Sequence, residues 1–222
     1  MKSESNKLAV RGELALIAMV IMNSAGVLLM LHSSSGISAI SSVPYGFQQV
    51  FPQLTLGTWT YMFQGLLVLV LMLLRRKFIP SYLFSFVVGF VFGKLMDLEK
   101  PFIDALPLNI PMRVLYFVLS YLILCFGISL GNRCGLPITP TDLFPREMAD
   151  ITKLPYARVK ITFDLTCLIT TAVITFVGVG AIRGLGIGTV VAACTMGKDI
   201  AFIGSLLDKR LTFHSVLDGQ KV

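Results

Sequence analysis

Three ionisable side chains stand well inside apolar runs of this sequence: Asp164, Lys198 and Asp199. A charge in hydrocarbon costs roughly 3 kcal/mol or more, so such a residue points to function by default. Asp164 lies about seven residues into its run, ~10 Å deep, and Lys198 about nine residues from the end of its own, ~13 Å deep at the helical rise. The similar depths predict an ion pair between Asp164 and Lys198 across two helices. Such a pair can hold a charged substrate group or a proton. It can also simply fasten the helices, or Lys198 can snorkel to the interface. One hundred residues before Asp164 stands Gln64, a neutral amide that keeps hydrogen-bonding capacity. Asn23 is polar in the middle of the first run, beside Ser24 and Gly26, where close helix packing also explains it. Two polar stretches add Ser41, Tyr45 and Gln48 in the first and Thr141 and Asp142 in the second. Together with Asn23, Gln64, Asp164 and Lys198, these form the candidate substrate-binding set.

The elements that must position them are membrane helices. Of 222 residues, 55% are hydrophobic and 14% charged, and the mean hydropathy is +0.80. A soluble domain needs about 25% charged residues for its wetted shell. Lipid must therefore cover much of this chain, which excludes a conventional soluble enzyme, a disulfide scaffold and a large extramembrane domain. Apolar runs cover about 14–31, 56–74, 80–95, 112–130, 157–177 and 185–207, each near the ~20 residues a bilayer core demands. Pro80 and Pro111 open the third and fourth runs, where a missing N–H costs little. The expected fold is an all-α membrane protein with six transmembrane helices. The first run outlasts a signal-peptide core and lacks an A-x-A site, so it is expected to be retained. Fourteen Lys and Arg fall on one set of sides and four on the other, with Lys198 left inside the sixth run. Positive residues stay cytoplasmic, so both termini are expected there.

The net charge of +7 invites a nucleic-acid reading. The cations, however, cluster at the ends of apolar runs, and no basic stripe is interleaved with exposed aromatics. Cys125, Cys134, Cys167 and Cys194 form no CxxC, and only two His are present, so no metal or other cofactor is expected. No HExxH or GxSxG occurs and no enzyme is expected. The run Gly184-Leu185-Gly186-Ile187-Gly188-Thr189 lacks the Lys of a phosphate loop, and close packing at the start of a helix explains it better. The expected partners are the lipid bilayer and a small-molecule substrate, with a homo-oligomer allowed.

The order of features repeats at about 100 residues. Residues 1–110 and 111–222 each read as a helix, a polar Pro/Gly stretch, then two helices. Gly36 opens the stretch at 36–55, with Pro44 inside, and Gly135 opens the one at 135–155, with Pro145 inside. Three crossings per half predict two inverted three-helix repeats, an architecture of secondary transporters with the substrate site at the repeat interface. Residues 36–55 carry no charge, which favours half-inserted segments buried by protein, with interfacial helices as the alternative for both stretches. Alternating-access transport of a small molecule is the function expected. A substrate-binding subunit of a larger uptake complex, or a membrane scaffold, are the alternatives.

The second half reads GLPITPTDLFPREMADITKLPYARVKITFD, then GVGAIRGLGIGTVVAACTMGKDI. It resembles the YczE/YyaS/YitT-like integral membrane proteins of bacteria. The features carrying the resemblance are Gly135, Pro137 and Asp142, then Asp164, then Gly184, Gly186, Gly188 and Thr189. In the first half, Pro44-Tyr45 stands where those proteins often have Pro-Trp-Asp, so the acidic residue is missing. The resemblance spans nearly the whole chain and is most specific over 135–200. It implies a bacterial cytoplasmic-membrane protein with a transport role and names no substrate.

Overall fold

Each apolar run becomes a helix because a backbone in lipid must satisfy its own N–H and C=O groups. A computed structural model describes residues 8–215. In chain order the helices are α1 (Gly12–His32), α2 (Ala39–Val50), α3 (Leu56–Arg75), α4 (Pro80–Asp104), α5 (Ile110–Gly131), α6 (Pro140–Thr152), α7 (Tyr156–Val179) and α8 (Ile187–Arg210). All but α2 and α6 are long and apolar enough to cross a membrane, so the chain is a multi-pass, all-α membrane protein. Local chemistry fixes several starts. Thr55 Oγ1 caps α3 by accepting from Thr58 N at 3.1 Å, and Asn109 Oδ1 caps α5 by accepting from Met112 N at 3.0 Å. Helix α4 continues to Asp104, well past the apolar run.

Two short strands, β1 (Leu8–Arg11) and β2 (Leu211–His214), pair in parallel, with Leu8 opposite Leu211 and Arg11 opposite His214. Their polar, basic surroundings gave no strand pattern in the sequence. They mark what we term the termini side of the bundle; the α4–α5 and α7–α8 loops lie at the far side.

Helices α1 and α5 form the centre, antiparallel and close. Gly127 abuts Asn23, Gly131 abuts Met19 and Gly26 abuts Leu124. Helix α4 packs on α1 and α8 on α5; α3 packs on α4 and α7 on α8. The short helix α2 lies against α7 and α3, and α6 lies against α3 and α7. Exchanging the first four helices for the last four leaves this set of neighbours unchanged.

Both short helices begin at mid-height. Val43 packs with Cys167 and Ser42 Oγ meets Thr171 Oγ1 at 2.7 Å, so α2 starts against the middle of α7 and runs alongside its far half. Pro140, the first residue of α6, sits beside Gln64 in the middle of α3. Farther on, Arg75 at the end of α3 donates to Glu147 and Asp150, each at 2.7 Å. Helix α6 therefore runs alongside the termini-side half of α3. These are half-length helices, and Pro44 and Pro145 occupy the same place in each.

Candidate functional site

The heads of α2 and α6 meet beside α1, α5 and α7 around a cavity of about 20 Å³, room for a single water. Asn23 on α1, Ser38 and Ser41 at the head of α2, Thr141 and Asp142 at the head of α6, and Lys160 on α7 supply its polar lining. Asp142 is the third residue of α6 and is buried. Thr139 Oγ1 donates to its Oδ2 at 2.8 Å, and Asn23 Nδ2 donates to the same oxygen at 3.4 Å. The positive end of α6 adds to this support for a negative group.

Behind the cavity lies an ion pair that the sequence reading missed. Lys160 Nζ donates to both carboxylate oxygens of Asp164, each at 2.6 Å. Both side chains are 1% exposed. They lie one turn apart on α7, the i,i+4 spacing at which helix side chains meet. The expected Asp164–Lys198 pair is corrected on this point. Asp164 takes its cation from its own helix, and Lys198 is on an exposed face of α8. Helix α8 turns Met196, Gly197 and Ile200 inward instead, and Lys160 is an interior residue, not an interfacial cation. Asp199 accepts a hydrogen bond from the Tyr121 hydroxyl.

Several buried polar atoms near the head of α6 have no hydrogen-bond partner among the described residues. These are Asn23 Oδ1, both amide atoms of Gln64 and Ser85 Oγ. Gln64 and Ser85 are 0% and 1% exposed. An orphaned buried group costs about 1–3 kcal/mol, and each one in a folded protein calls for an explanation.

The two ends of the bundle differ. On the termini side a polar cleft of about 470 Å³ runs between α4, the end of α5 and α6, with Ser85, Asn132 and Arg146 in its walls. On the far side the α1–α2 and α7–α8 junctions are locked together. Ile37 N donates to Gly184 O at 3.2 Å and to Thr189 Oγ1 at 3.0 Å, and Gly188 N donates to Ser35 O at 3.0 Å. A Cβ at Gly186 would strike Ser35 O, and one at Gly188 the Phe117 ring. The glycine run is thus a packing device.

Of the residues singled out from the sequence, Asn23, Ser41, Thr141 and Asp142 share the cavity, and Asp164 stands behind it through Lys160. Gln64 lies beside the head of α6. Tyr45 is farther along α2, its ring against Gly184, and half-buried Gln48 lies beyond it; neither lines the cavity. Ser38 stands in the first polar stretch but outside the candidate set, and Ser85 and Lys160 were not in it either. The i,i+4 spacing of Lys160 and Asp164 was the one usable signal. Among the described residues, no three His, Cys, Asp or Glu side chains are grouped as metal ligands would be.

These features define a polytopic helical membrane protein in which two half-length helices meet head to head around buried charges. The chain belongs to a family of unknown function, DUF6198, which matches residues 10–205. No curated protein and no solved structure matches it.

Proposed function

We propose that the protein is a small-molecule transporter of the secondary type, working by alternating access at the mid-height cavity between two inverted halves, 1–110 and 111–222. Carrying the proposal is the set of orphaned polar atoms on Asn23, Gln64 and Ser85 around the head of α6. Burial at such a cost is explained if a ligand supplies the missing hydrogen bonds. The exchangeable set of helix neighbours supports the inverted halves. A cleft on the termini side and a lock on the far side support one end-state of an alternating cycle. Half-helix N-termini aimed at a midplane site are a recurrent device of such transporters. The resemblance to YczE/YyaS/YitT-like proteins points the same way, to a bacterial cytoplasmic membrane with both termini cytoplasmic. Reporter fusions after Ser35 and after Arg183 test that orientation, and a cytoplasmic signal at either point refutes it.

The function is tested by screening purified protein against a metabolite library for ligand-induced thermal stabilisation, then repeating any hit with Gln64→Leu. Removing an orphaned amide should leave the unliganded protein as stable or more so. The stabilisation by ligand should disappear. A library without hits, or a Gln64→Leu protein that responds like the wild type, overturns the assignment of this site.

A further inference from the structure

The charges around the cavity do not balance. Asp142 and Asp164 contribute two carboxylates, and Lys160 contributes one cation that is clamped on Asp164 by two bonds of 2.6 Å. An ammonium has three protons to donate, so one remains for a second acceptor on the cavity side. Among the described residues no other cation forms an ion pair with Asp142, and the groups around it are neutral apart from Arg146. From α1 comes Asn23, from α2 come Ser38 and Ser41, and α3 brings Gln64 to the neighbouring Pro140. Helix α7 adds the hydroxyl of Tyr156, and α6 itself adds Arg146 one turn on, in the wall of the termini-side cleft. From α4, Tyr82 hydrogen-bonds Glu147 rather than Asp142. With both carboxylates ionised, a nearly dry interior would hold one uncompensated negative charge. An isolated buried charge of this kind takes up a proton instead.

We infer that Asp142, Lys160 and Asp164 form a proton-binding site that holds one exchangeable proton on Asp142 while Lys160 is engaged by Asp164. Two features favour a proton over a metal cation. The Lys160 ammonium lines the same cavity and repels a second cation, and a lining that includes Val27, Ile40, Phe92, Leu124 and Ile128 does not offer the six or so oxygen ligands a hard cation gathers. Asn23 supplies the partner for either state of Asp142. Its Nδ2 donates to the ionised carboxylate, at 3.4 Å here. Its Oδ1, buried and unpartnered, accepts from the protonated one after rotation of the amide. Binding and release are a simple transfer: the carboxylate lone pair takes H⁺ from water to give the neutral acid, and the O–H bond breaks to return it. A role for this proton in driving transport rests on the transport reading; the protonation itself does not.

The test is infrared spectroscopy of the full chain in liposomes, with ¹³C-labelled aspartate, titrated between pH 5 and pH 9. A protonated-carboxyl C=O band that shifts with the label and fades as pH rises is the expected result. It should be absent from Asp142→Asn and retained in the double variant Lys160→Met/Asp164→Asn, which removes the ion pair as a unit. In that double variant the midpoint should move to higher pH, because Lys160, the member of the pair that lines the cavity with Asp142, is the nearer of the two charges removed and the one that favours the carboxylate. The double variant also decides the matter should Asp142→Asn fail to fold. Asp142 is its one remaining buried aspartate among the described residues. Absence of a labelled band in the wild type, a band that survives Asp142→Asn, or a band lost with Asp164 overturns the site.

Discussion

Replacing Asp164 by Asn keeps the side-chain shape and leaves the Lys160 ammonium unpaired at 1% exposure. Breaking a buried pair from one side typically costs about 3–5 kcal/mol, since the remaining charge loses the partner that held it. For a chain of 222 residues, each kcal/mol moves the unfolding midpoint by about 2–4 °C. The single variant should therefore melt about 6–20 °C below the wild type. Lys160→Met should do the same from the other side, leaving the Asp164 carboxyl without its cation. The double variant carries no buried charge in the pair, and exchanging an ion pair for neutral groups of similar volume is often close to neutral. It should therefore recover most of the loss. Thermal unfolding of the four proteins in one detergent closes the double-mutant cycle, with a coupling of at least ~3 kcal/mol expected from contacts this short. Single-variant losses below ~1 kcal/mol, or additive ones, would falsify the buried-pair assignment.

Three further outcomes follow from the packing and the surface charges. A Cβ on Gly93 would lie 2.6 Å from Gly57 O, so Gly93→Ala should force α3 and α4 apart. Thermal unfolding should register a loss of about 1–3 kcal/mol; unchanged stability would refute the contact. Gly36 has φ +123° and its Cβ would strike Thr189 Oγ1, so Gly36→Ala should loosen the far-side lock. A cysteine at Ser38 in a cysteine-free background should then become reactive to a membrane-impermeant thiol reagent added from the far side, and continued protection would count against the lock. Outside the spanning segments, the Arg75 guanidinium holds the Asp150 carboxyl below its usual range, with Lys153 assisting. A depressed carboxyl stabilises the fold fully above its unfolded value near pH 3.9, and that contribution is lost as pH falls through the lower folded value. Stability should show this acid-side loss in the wild type, and Asp150→Asn should lose the corresponding part of the pH dependence.

The spanning helices were legible because a bilayer demands a run of apolar residues, and five of the six observed helices end within about three residues of those runs. The exception, α4, extends beyond its run through Asp97, Glu99 and Lys100 to Asp104. Hydropathy loses the helix there, although Asp97 ties it to α3 by accepting from Gly57 N at 3.0 Å. The polar stretches were recognisable as unusual from Pro44, Pro145 and the missing charges of the first. The ion pair was misread because depth along a helix says nothing about azimuth. Lys198 has a depth similar to that of Asp164 but points outward, while Lys160 lies one turn away on the same face. The strands β1 and β2 were illegible because four-residue pairings between chain ends carry no periodicity that a sequence can display.

The pairing of β1 with β2 brings the two ends of the described chain side by side. In effect the fold is a closed loop whose opening point is a matter of history. Because the strands are parallel, a linker of about a dozen residues or more is needed to cross back from the end of β2 to the start of β1; with new ends cut in the α4–α5 connection at residues 105–109, it would permute the order of the two halves without moving a helix. Circular permutation succeeds where termini adjoin and the new cut falls in a surface connection. Here it would start the chain with α5 and end it with α4. Each half would then enter the membrane in the other's place, while the central α1–α5 contact keeps the same partners.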